Sequence, residues 1–361
     1  MESQPIRRQT RTVQAGSLKI GAGAPISIQS MTNTDPHDAE TTYRQVKALE
    51  EAGCEIVRLA IPDLISCDTI YRLKERGIAV PLVADIHFDY RIALAAVEAG
   101  IDKIRINPGN IGSEEHIRAV AKACQMHSVP IRIGINSGSL EKHILRKYGA
   151  PTPQALAESA LYHAKLLEKY DFTDIVISIK SSNVLCMIEA NRIVGAACDY
   201  PLHLGVTEAG RGDRGLLKSA IGIGTLLCEG LGDTIRVSLT DSPLEEVKAA
   251  QAILSTIGLS SRPYIDIISC PTCGRTKIDL IPICEELDKR LQGISVTKKL
   301  TVAVMGCVVN GPGEAAQADI GIAGAVGEAV LFSHGKIIRR VSEKNLVDEL
   351  ICEIQKLLES E

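Results

Sequence analysis

Short runs of β-branched and other apolar residues alternate with longer amphipathic stretches through most of this chain. The runs predict eight strands, at 26–30, 56–60, 82–86, 103–107, 131–136, 174–180, 202–207 and 234–239. Strands that alternate with helices are typically parallel and joined by crossover helices, and eight is the number that closes a (β/α)8 TIM barrel. An open doubly wound sheet is the competing fold. We favour the barrel because no Gly-x-Gly-x-x-Gly motif follows the first strand.

The chain changes character after a last barrel helix that ends near Ile257. The segment 259–263 reads as a short linker because it combines Ser and Pro between two patterned regions. Beyond it the pattern predicts a helix at 278–291, strands at 300–305 and 319–323, a hairpin at 329–341 and a final helix at 343–358. We therefore predict two domains, a barrel at 1–259 and a small α+β domain at 260–361.

Polar side chains stand at the carboxyl ends of the predicted strands, the rim at which TIM barrels build their active sites. These residues are Gln29, Ser30, Arg58, Asp85, His87, Arg105, Asn107, Asn136, Lys180, Thr207, Glu208, Arg236 and Ser238. Four of them are cations, which would repel one another unless an anion lay between them. Since guanidinium groups match phosphate oxygens in pairs, we expect a substrate with more than one phosphate group. The alternative is that each cation pairs with a nearby carboxylate, such as Asp85 or Glu208.

Glu208 is the best candidate on this rim for a general acid or base, although a structural ion pair is the alternative interpretation. The Gly-rich, charged segment 210–215 that follows it predicts either a flexible loop over the ligand or a solvated turn.

Two cysteine motifs distinguish the small domain. Cys270-Pro271-Thr272-Cys273 places two thiolates on one tight turn, and Cys307 follows in a loop rich in Gly and Pro. Thiolates select zinc, copper(I) or an iron–sulfur cluster. A structural zinc site is normally closed by a fourth Cys or a His, and no paired motif supplies one. Three thiolates with Glu314 as a weak oxygen ligand suit a [4Fe–4S] cluster with one exchangeable iron, which we favour over zinc.

Composition excludes several classes of protein. The net charge of −4 argues against a general nucleic-acid binder, and 3% aromatic residues without Trp argue against base-stacking platforms. The other eight of the eleven cysteines are scattered, as expected of reduced thiols in the cytoplasm. Neither a membrane-spanning run nor a hydrophobic leader is present, so we expect no membrane partner.

Eight motifs, in order along nearly the whole chain, resemble the bacterial 4-hydroxy-3-methylbut-2-enyl diphosphate synthases. The segments are 27–34, 57–60, 84–88, 105–110, 132–136, 206–210, Ser269-Cys270-Pro271-Thr272-Cys273-Gly274-Arg275 and 306–314, which begins Gly306-Cys307-Val308. Plant-type members of this family carry an extra domain between the barrel and the cluster domain. This sequence has no room for it and is similar to the two-domain bacterial form.

The resemblance implies reductive ring opening and dehydration of 2-C-methyl-D-erythritol 2,4-cyclodiphosphate in the non-mevalonate isoprenoid pathway. The product would be (E)-4-hydroxy-3-methylbut-2-enyl diphosphate, formed with two electrons that pass through the cluster. By resemblance Cys270, Cys273 and Cys307 bind three irons of a [4Fe–4S] cluster and Glu314 binds the fourth, while Glu208 donates a proton or stabilises the reacting carbon. The expected substrate-binding residues are Arg58, Asp85, Arg105, Asn107, Asn136, Lys180, Arg236 and Ser238.

Two partners follow from the same resemblance. An electron-donor protein of the flavodoxin or ferredoxin type would reduce the cluster, and the basic pairs Lys298-Lys299 and Arg339-Arg340 could attract an acidic one. A head-to-tail homodimer would let the cluster domain of one subunit cap the barrel of the other.

Two other functions remain open at this point. One is a barrel enzyme for a phosphorylated ligand with a structural zinc domain, which metal and sulfide analysis would identify. The other is an iron-sensing RNA-binding regulator, which the acidic charge balance and the scarcity of aromatic residues disfavour.

Overall fold

The computed structural model describes residues 5–291, 293–308, 313 and 315–359. The chain divides into two compact units, Met1–Ser260 and Ser261–Glu361. No helix within the described residues is long and apolar enough to cross a membrane.

The strands described in the first unit begin with a short hairpin and continue with those of the barrel. They are β1 (Val13–Ala15), β2 (Leu18–Ile20), β3 (Ser27–Met31), β4 (Ile56–Ala60), β5 (Leu82–Asp85), β6 (Lys103–Ile106), β7 (Ile131–Asn136), β8 (Ile175–Lys180), β9 (His203–Leu204) and β10 (Thr234–Ile235). Strands β3 to β10 form one parallel sheet in the order β8-β7-β6-β5-β4-β3-β10-β9. A parallel bridge between Ile177 and Leu202 joins its two ends. The sheet therefore closes, and the predicted (β/α)8 barrel is confirmed.

α-Helices accompany these strands in the described part of this unit. They are α1 (Ala39–Glu51), α2 (Cys67–Glu75), α3 (Tyr90–Glu98), α4 (Pro108–Ile111), α5 (Glu114–Met126), α6 (Lys142–Tyr148), α7 (Pro153–Glu168), α8 (Val184–Ala197), α9 (Gly212–Cys228) and α10 (Pro243–Thr256). Several begin at a side-chain cap: Thr152 accepts from the Ala155 amide and Ser242 from the Leu244 amide, in each case just before a proline. Such caps satisfy amides that have no partner within the helix, and so they define where it begins.

Helix α9 begins at Gly212, within the Gly-rich segment 210–215. The segment 212–215 is therefore a first helical turn and not a loop over the ligand. Two glycines lower the helix propensity of this turn, which obscured it in the sequence. The packing explains why Gly is needed, because a Cβ on Gly215 would lie 2.7 Å from the carbonyl oxygen of Gly210.

The hairpin β1–β2 closes the amino-terminal end of the barrel, and the sequence pattern had not predicted it because each strand has only three residues. The hairpin residues Val13, Ala15 and Ile20 form a small core with residues near the start of three barrel strands. These barrel residues are Ile56, Val83 and Val176. With this end plugged, the polar interior of the barrel opens toward the carboxyl ends of the strands, where the site is built.

The second unit is an α+β domain, as predicted. It contains β11 (Ile265–Ser269), β12 (Leu300–Met305), β13 (Ile320–Ala325), β14 (Glu328–Ser333), β15 (Lys336–Ser342), α11 (Leu280–Leu291) and α12 (Leu346–Glu359). The strands lie in sequence order, with β11, β12 and β13 parallel and the last two antiparallel. Strand β11 was not predicted, because it is a partly exposed edge strand without a continuous apolar signal.

Helices α11 and α12 both belong to the core that covers the sheet. Leu287 of α11 and Leu350 of α12 are fully buried in the same cluster as Val302 and Ile322. Because β11 and β12 are parallel neighbours, their carboxyl ends lie side by side. The cysteine motifs follow these two ends, so the fold brings together loops that are distant in sequence.

Candidate functional site

A cavity of about 140 Å³ opens among the carboxyl ends of the barrel strands. Its lining residues are Arg58, Arg105, Arg132, Gly134, Asn136, Ser178, Lys180, Thr207, Arg236 and Ser238. Six of these ten are predicted substrate-binding residues, and they come from five different segments of the barrel. A larger concavity of about 490 Å³ lies around α6 and α7, but Lys165 is the one Lys or Arg in its lining. The cationic cavity is therefore the stronger candidate site.

Asp85 does not itself line the cavity, but it accepts hydrogen bonds from two of the lining arginines. Its Oδ2 accepts from Arg58 Nη2 at 2.5 Å and its Oδ1 accepts from Arg105 Nη1 at 3.2 Å. His87 Nε2 lies 3.1 Å from Oδ2. Burial alone would raise the pKa of Asp85, but the Arg58 charge, the His87 hydrogen bond and the Arg105 charge outweigh it and lower the pKa. Asp85 is thus an anion that orients two cations, and the expectation that a carboxylate neutralises part of the rim holds for this pair.

Arg132 is a lining residue that the sequence reasoning did not select. It is 1% exposed, and its Nη1 donates to the Gln29 side chain at 3.4 Å. Its Nε has no hydrogen-bond partner among the described residues. A signal was available, because Arg132 lies four residues before Asn136 on β7 and side chains with this spacing share one face of a strand.

Lys180 enters the same cavity from the end of β8 and is also buried. Burial, followed by the charges of Arg236 and Arg132, lowers its pKa well below the ordinary value. Burial and the neighbouring cations Arg58 and Arg105 likewise lower the pKa of Arg132. We find no carboxylate partner for Arg132 or Lys180 in the part of the chain that the structure describes.

The remaining cation, Arg236, follows β10 and has a carboxylate partner that the sequence did not indicate. Its Nε donates to Glu246 Oε2 of α10 at 3.4 Å. Burial lowers the pKa of Arg236, and the Glu246 charge opposes that shift. The cavity therefore brings five cations together with two carboxylates, Asp85 and Glu246. This excess of positive charge favours a ligand that carries several negative charges.

The two predicted amides lie at different depths. With its amide oriented by its hydrogen bonds, Asn136 accepts from Arg105 Nη2 at 3.3 Å and donates to the Ile135 carbonyl at 3.1 Å. It thereby helps to orient Arg105. Asn107 is buried directly after β6 and does not line the cavity, although its backbone carbonyl accepts from the Asn110 amide at 2.9 Å in α4.

Glu208 lies in the loop that follows β9 and does not line the cavity. Its side chain is exposed. Its backbone has a φ of 51°, in the left-handed region that residues other than Gly rarely adopt. A backbone conformation of this kind costs about 1–3 kcal/mol and is concentrated at functional sites. The neighbouring Thr207 lines the cavity, so Glu208 is one residue away from its wall.

The second unit holds the predicted thiol ligands on two adjacent loops. Cys270 follows β11, and its Sγ accepts from the Gly306 amide at 3.1 Å, directly after β12. The Lys277 amide donates to the Gly306 carbonyl at 2.8 Å, which ties the Cys270–Cys273 turn to the loop of Cys307. Among the described residues, no three His, Cys, Asp or Glu side chains are already close enough to hold a metal ion. Glu314 lies outside the described residues.

The chemistry of these donors nevertheless fits a soft metal centre. Hydrogen bonds from the backbone and side chain of Arg275 lower the pKa of Cys273, which favours the thiolate that binds metal. The Cys273 amide donates to Thr276 Oγ1 at 3.1 Å, and a Cβ on Gly306 would lie 2.9 Å from the Thr276 methyl group. Gly306 is thus required for the close approach of the two cysteine loops.

Two family models match the chain over most of its length. The model described as the GcpE TIM-barrel domain matches residues 10–251, and the model described as the GcpE protein C-terminal domain matches residues 266–356. A protein of Clostridium perfringens (strain 13 / Type A) is 58% identical over 351 residues, which are 97% of this chain and 99% of that protein. A protein of Caldanaerobacter subterraneus subsp. tengcongensis is 56% identical over 356 residues, 99% of each chain. Both are named 4-hydroxy-3-methylbut-2-en-1-yl diphosphate synthase (flavodoxin).

Solved structures of other proteins share the barrel. Type I 3-dehydroquinate dehydratase from Clostridium difficile superimposes with a TM-score of 0.51 at 15% identity, over 70% of this chain and 100% of that one. At this identity the similarity concerns the fold alone.

Proposed function

The chain belongs to the GcpE family of 4-hydroxy-3-methylbut-2-en-1-yl diphosphate synthases, and from that premise we propose how its residues carry out the family's reaction. It is an iron–sulfur oxidoreductase of the non-mevalonate isoprenoid pathway. It converts 2-C-methyl-D-erythritol 2,4-cyclodiphosphate into (E)-4-hydroxy-3-methylbut-2-enyl diphosphate. One ring C–O bond breaks, one hydroxyl leaves as water, and two electrons and two protons balance the change.

The barrel cavity binds the cyclic diphosphate. The observation that carries this assignment is the convergence of Arg58, Arg105, Arg132, Lys180 and Arg236 on one small cavity. Two neighbouring phosphates supply the several negative charges that these cations lack, and guanidinium groups can grip them in pairs. Asp85 orients Arg58 and Arg105, while Asn136 and Ser238 add polar contacts. Asn107, which is buried directly after β6 and does not line the cavity, would support its wall and not contact the ligand.

Glu208 is the proton donor that we assign to this cavity. Its exposed carboxyl follows the lining residue Thr207, in a strained backbone conformation that directs a short loop from β9. A carboxyl there can protonate the hydroxyl that leaves as water, and a positioned acid contributes typically 10²–10⁴-fold to such a step. Removing solvent around the bound ring would strengthen each of these interactions.

The cysteine loops hold the redox group, which we propose is a [4Fe–4S] cluster. Cys270, Cys273 and Cys307 would bind three irons and Glu314 the fourth, since a carboxylate is the weakest ligand of the set and the most readily exchanged. When bound, the cluster supplies the two electrons one at a time. The chain's own contribution is the pair of tied loops and the lowered pKa of Cys273.

We further propose a flavodoxin as the electron donor and a head-to-tail homodimer as the working assembly. The names of the relatives support the donor. The dimer is supported by connectivity, because α10 runs back along the barrel and the second unit begins at Ser261, after this return. In the dimer, the cluster unit of one subunit would reach the cavity of the other.

Anaerobic reconstitution with iron and sulfide tests the cluster. We expect about four irons and four sulfides per chain and turnover of the cyclodiphosphate with a low-potential reductant. The Cys307→Ser variant should lose iron and activity. The matched control is Cys228→Ser, which alters an exposed cysteine at the end of α9 and should retain both. Zinc without sulfide in the active protein, or full activity of Cys307→Ser, would contradict the proposal.

A further inference from the structure

The last strand of the barrel, β10, meets the first strand of the parallel sheet, β3, along a short seam. Strand β10 pairs with β3 only at Thr234 and Ile235. The segment 236–239, which carries Arg236 and Ser238, runs beyond these bonds. On the side of β9 the Arg236 amide donates to the Leu204 carbonyl at 2.9 Å. Toward β3 we find no backbone hydrogen bond from this segment in the described chain, so something else must hold it there.

Glu246 of α10 occupies that position. It is 4% exposed, and its two carboxylate oxygens accept hydrogen bonds from both sides of the seam. Oε2 accepts from Ser30 Oγ of β3 at 2.9 Å, and Oε1 accepts from the Leu239 amide at 3.1 Å. Oε2 also accepts from Arg236 Nε at 3.4 Å. One buried carboxylate therefore replaces the missing ladder bonds and contacts the cation at the same time.

The contact at Nε determines which edge of the Arg236 guanidinium remains available. With Nε directed to Glu246, the two terminal nitrogens are left for the cavity that Arg236 lines. Nη1 lies 3.4 Å from the Met31 sulfur, which is a weak acceptor that a phosphate oxygen would readily outcompete. This is the arrangement needed for a two-point contact with phosphate.

We propose that Glu246 is a positioning residue for diphosphate binding, acting through Arg236. The inference rests on the proposed function of the cavity. Glu246 holds the guanidinium in the orientation that the substrate requires, and it holds the segment with Ser238 against β3. It does not touch the substrate itself, because it lies on α10 behind the lining of the cavity.

Replacing Glu246 by Gln removes the negative charge and nearly preserves the shape of the side chain, so it tests the charge by itself. Each oxygen of Glu246 faces at least one donor, so the NH2 group of Gln would face a donor in either orientation. Glu246→Gln should therefore weaken the contacts to Arg236 and to the Leu239 amide, because the charge is lost and one donor is mismatched, while it changes the side-chain volume little. Glu246→Asp keeps the charge but shortens the reach, and should recover part of the loss. The matched control is Glu245→Gln, since Glu245 is the preceding residue of α10 and pairs with Lys248 at the surface.

The experiment measures binding of the cyclodiphosphate to the reconstituted enzyme by calorimetry, without reductant, and then steady-state kinetics. We expect Glu246→Gln to weaken binding roughly tenfold and to raise KM with kcat within about threefold, because the same contact serves the ground state and the transition state. Arg236→Gln should weaken binding by about 100-fold, and adding Glu246→Gln to it should cost nothing further. Glu245→Gln should bind like the parent enzyme.

The outcomes separate this inference from the function on which it rests. If the parent enzyme does not bind the cyclodiphosphate, the proposed function fails. If the parent binds it and Glu246→Gln binds equally well, or if the losses in the double variant simply add, the positioning role is refuted. Should Glu246→Gln not fold, Glu246→Asp and Ser30→Ala provide the same comparison, and unchanged affinity in Glu246→Asp would also refute the role.

Discussion

Lys103 is a completely buried cation at the start of β6, and its Nζ has no hydrogen-bond partner among the described residues. Burial, and then the charge of Arg132, lowers its pKa to about 7. His203 is buried in the same interior, and its pKa is lowered well below the ordinary value by burial and then by the charges of Arg132, Lys180 and Lys103. The concentration of positive charge that we propose binds the substrate thus extends into the barrel interior around Lys103 and His203, where it opposes folding.

Replacing Lys103 by Met should stabilise the protein in a pH-dependent way. The ordinary lysine pKa is 10.5 and the folded value is about 7, so the unfolded chain binds this proton more tightly between those values. The penalty is complete below pH 7 and disappears above pH 10.5. We expect Lys103→Met to be more stable by on the order of 3 kcal/mol at pH 6, and the gain to fall by about half by pH 9.

Urea unfolding of the two proteins at several pH values measures this difference. The control is Lys122→Met on α5, where the side chain is exposed and no comparable gain is expected. A gain for Lys103→Met that is independent of pH would show that packing, and not the buried charge, is responsible.

Among the elements, strand β7 shows how a missing side chain makes room for a functional one. A Cβ on Gly134 would lie 2.3 Å from Arg105 Nε and 2.8 Å from its Nη2. The Gly134 carbonyl also accepts from Arg105 Nη2 at 3.2 Å. Gly134 therefore provides both the space and one of the hydrogen bonds that hold Arg105 against Asp85.

Gly134→Ala should displace Arg105 and weaken substrate binding. We expect a loss of about 1–3 kcal/mol in the free energy of unfolding, as for other overpacked positions, and at least a roughly tenfold weaker affinity for the cyclodiphosphate. Calorimetric binding and thermal unfolding measure the two effects. The control is Gly224→Ala on α9, where a Cβ meets nothing within 4 Å and a small gain in stability is expected. Unchanged affinity in Gly134→Ala would show that Arg105 can bind from another position.

At the scale of the whole molecule, the connectivity of the chain is the basis of the proposed dimer. Barrel helices run antiparallel to the strands, so α10 returns the chain toward the amino-terminal end of the barrel before the second unit begins. The cationic cavity lies at the opposite end, among the carboxyl ends of the strands. The proposed head-to-tail dimer would combine the cavity of one subunit with the cysteines of its partner.

Subunit mixing tests the dimer. A Cys307→Ser chain and an Arg105→Met chain should each be inactive alone, because each lacks one half of every composite site. After co-expression, half of the dimers are mixed and each of these has one intact site, so about a quarter of the parent activity should return. If both halves of a site belong to the same subunit, the mixture will stay inactive.

The sequence by itself determined the architecture of the barrel and the chemistry of the ligands. Eight β-rich runs separated by amphipathic stretches are a local pattern, and the periodicity of each run follows from burial of its own residues. The cysteine spacing is equally local. The period of two on β7 even contained Arg132, although we did not select it. These features were readable because they depend on neighbours in sequence.

The tertiary structure decided which charges meet. Asp85 accepts from Arg58 and Arg105 on two other strands. Glu246 of α10 accepts from Ser30 of β3, far from it in sequence. The hairpin β1–β2 closes the end of the barrel because its side chains pack against residues from three different strands, which only the folded barrel brings together. Such contacts depend on distances that chain closure creates, and the strength of a charge interaction depends on burial as well as on sequence. No local pattern contains either quantity.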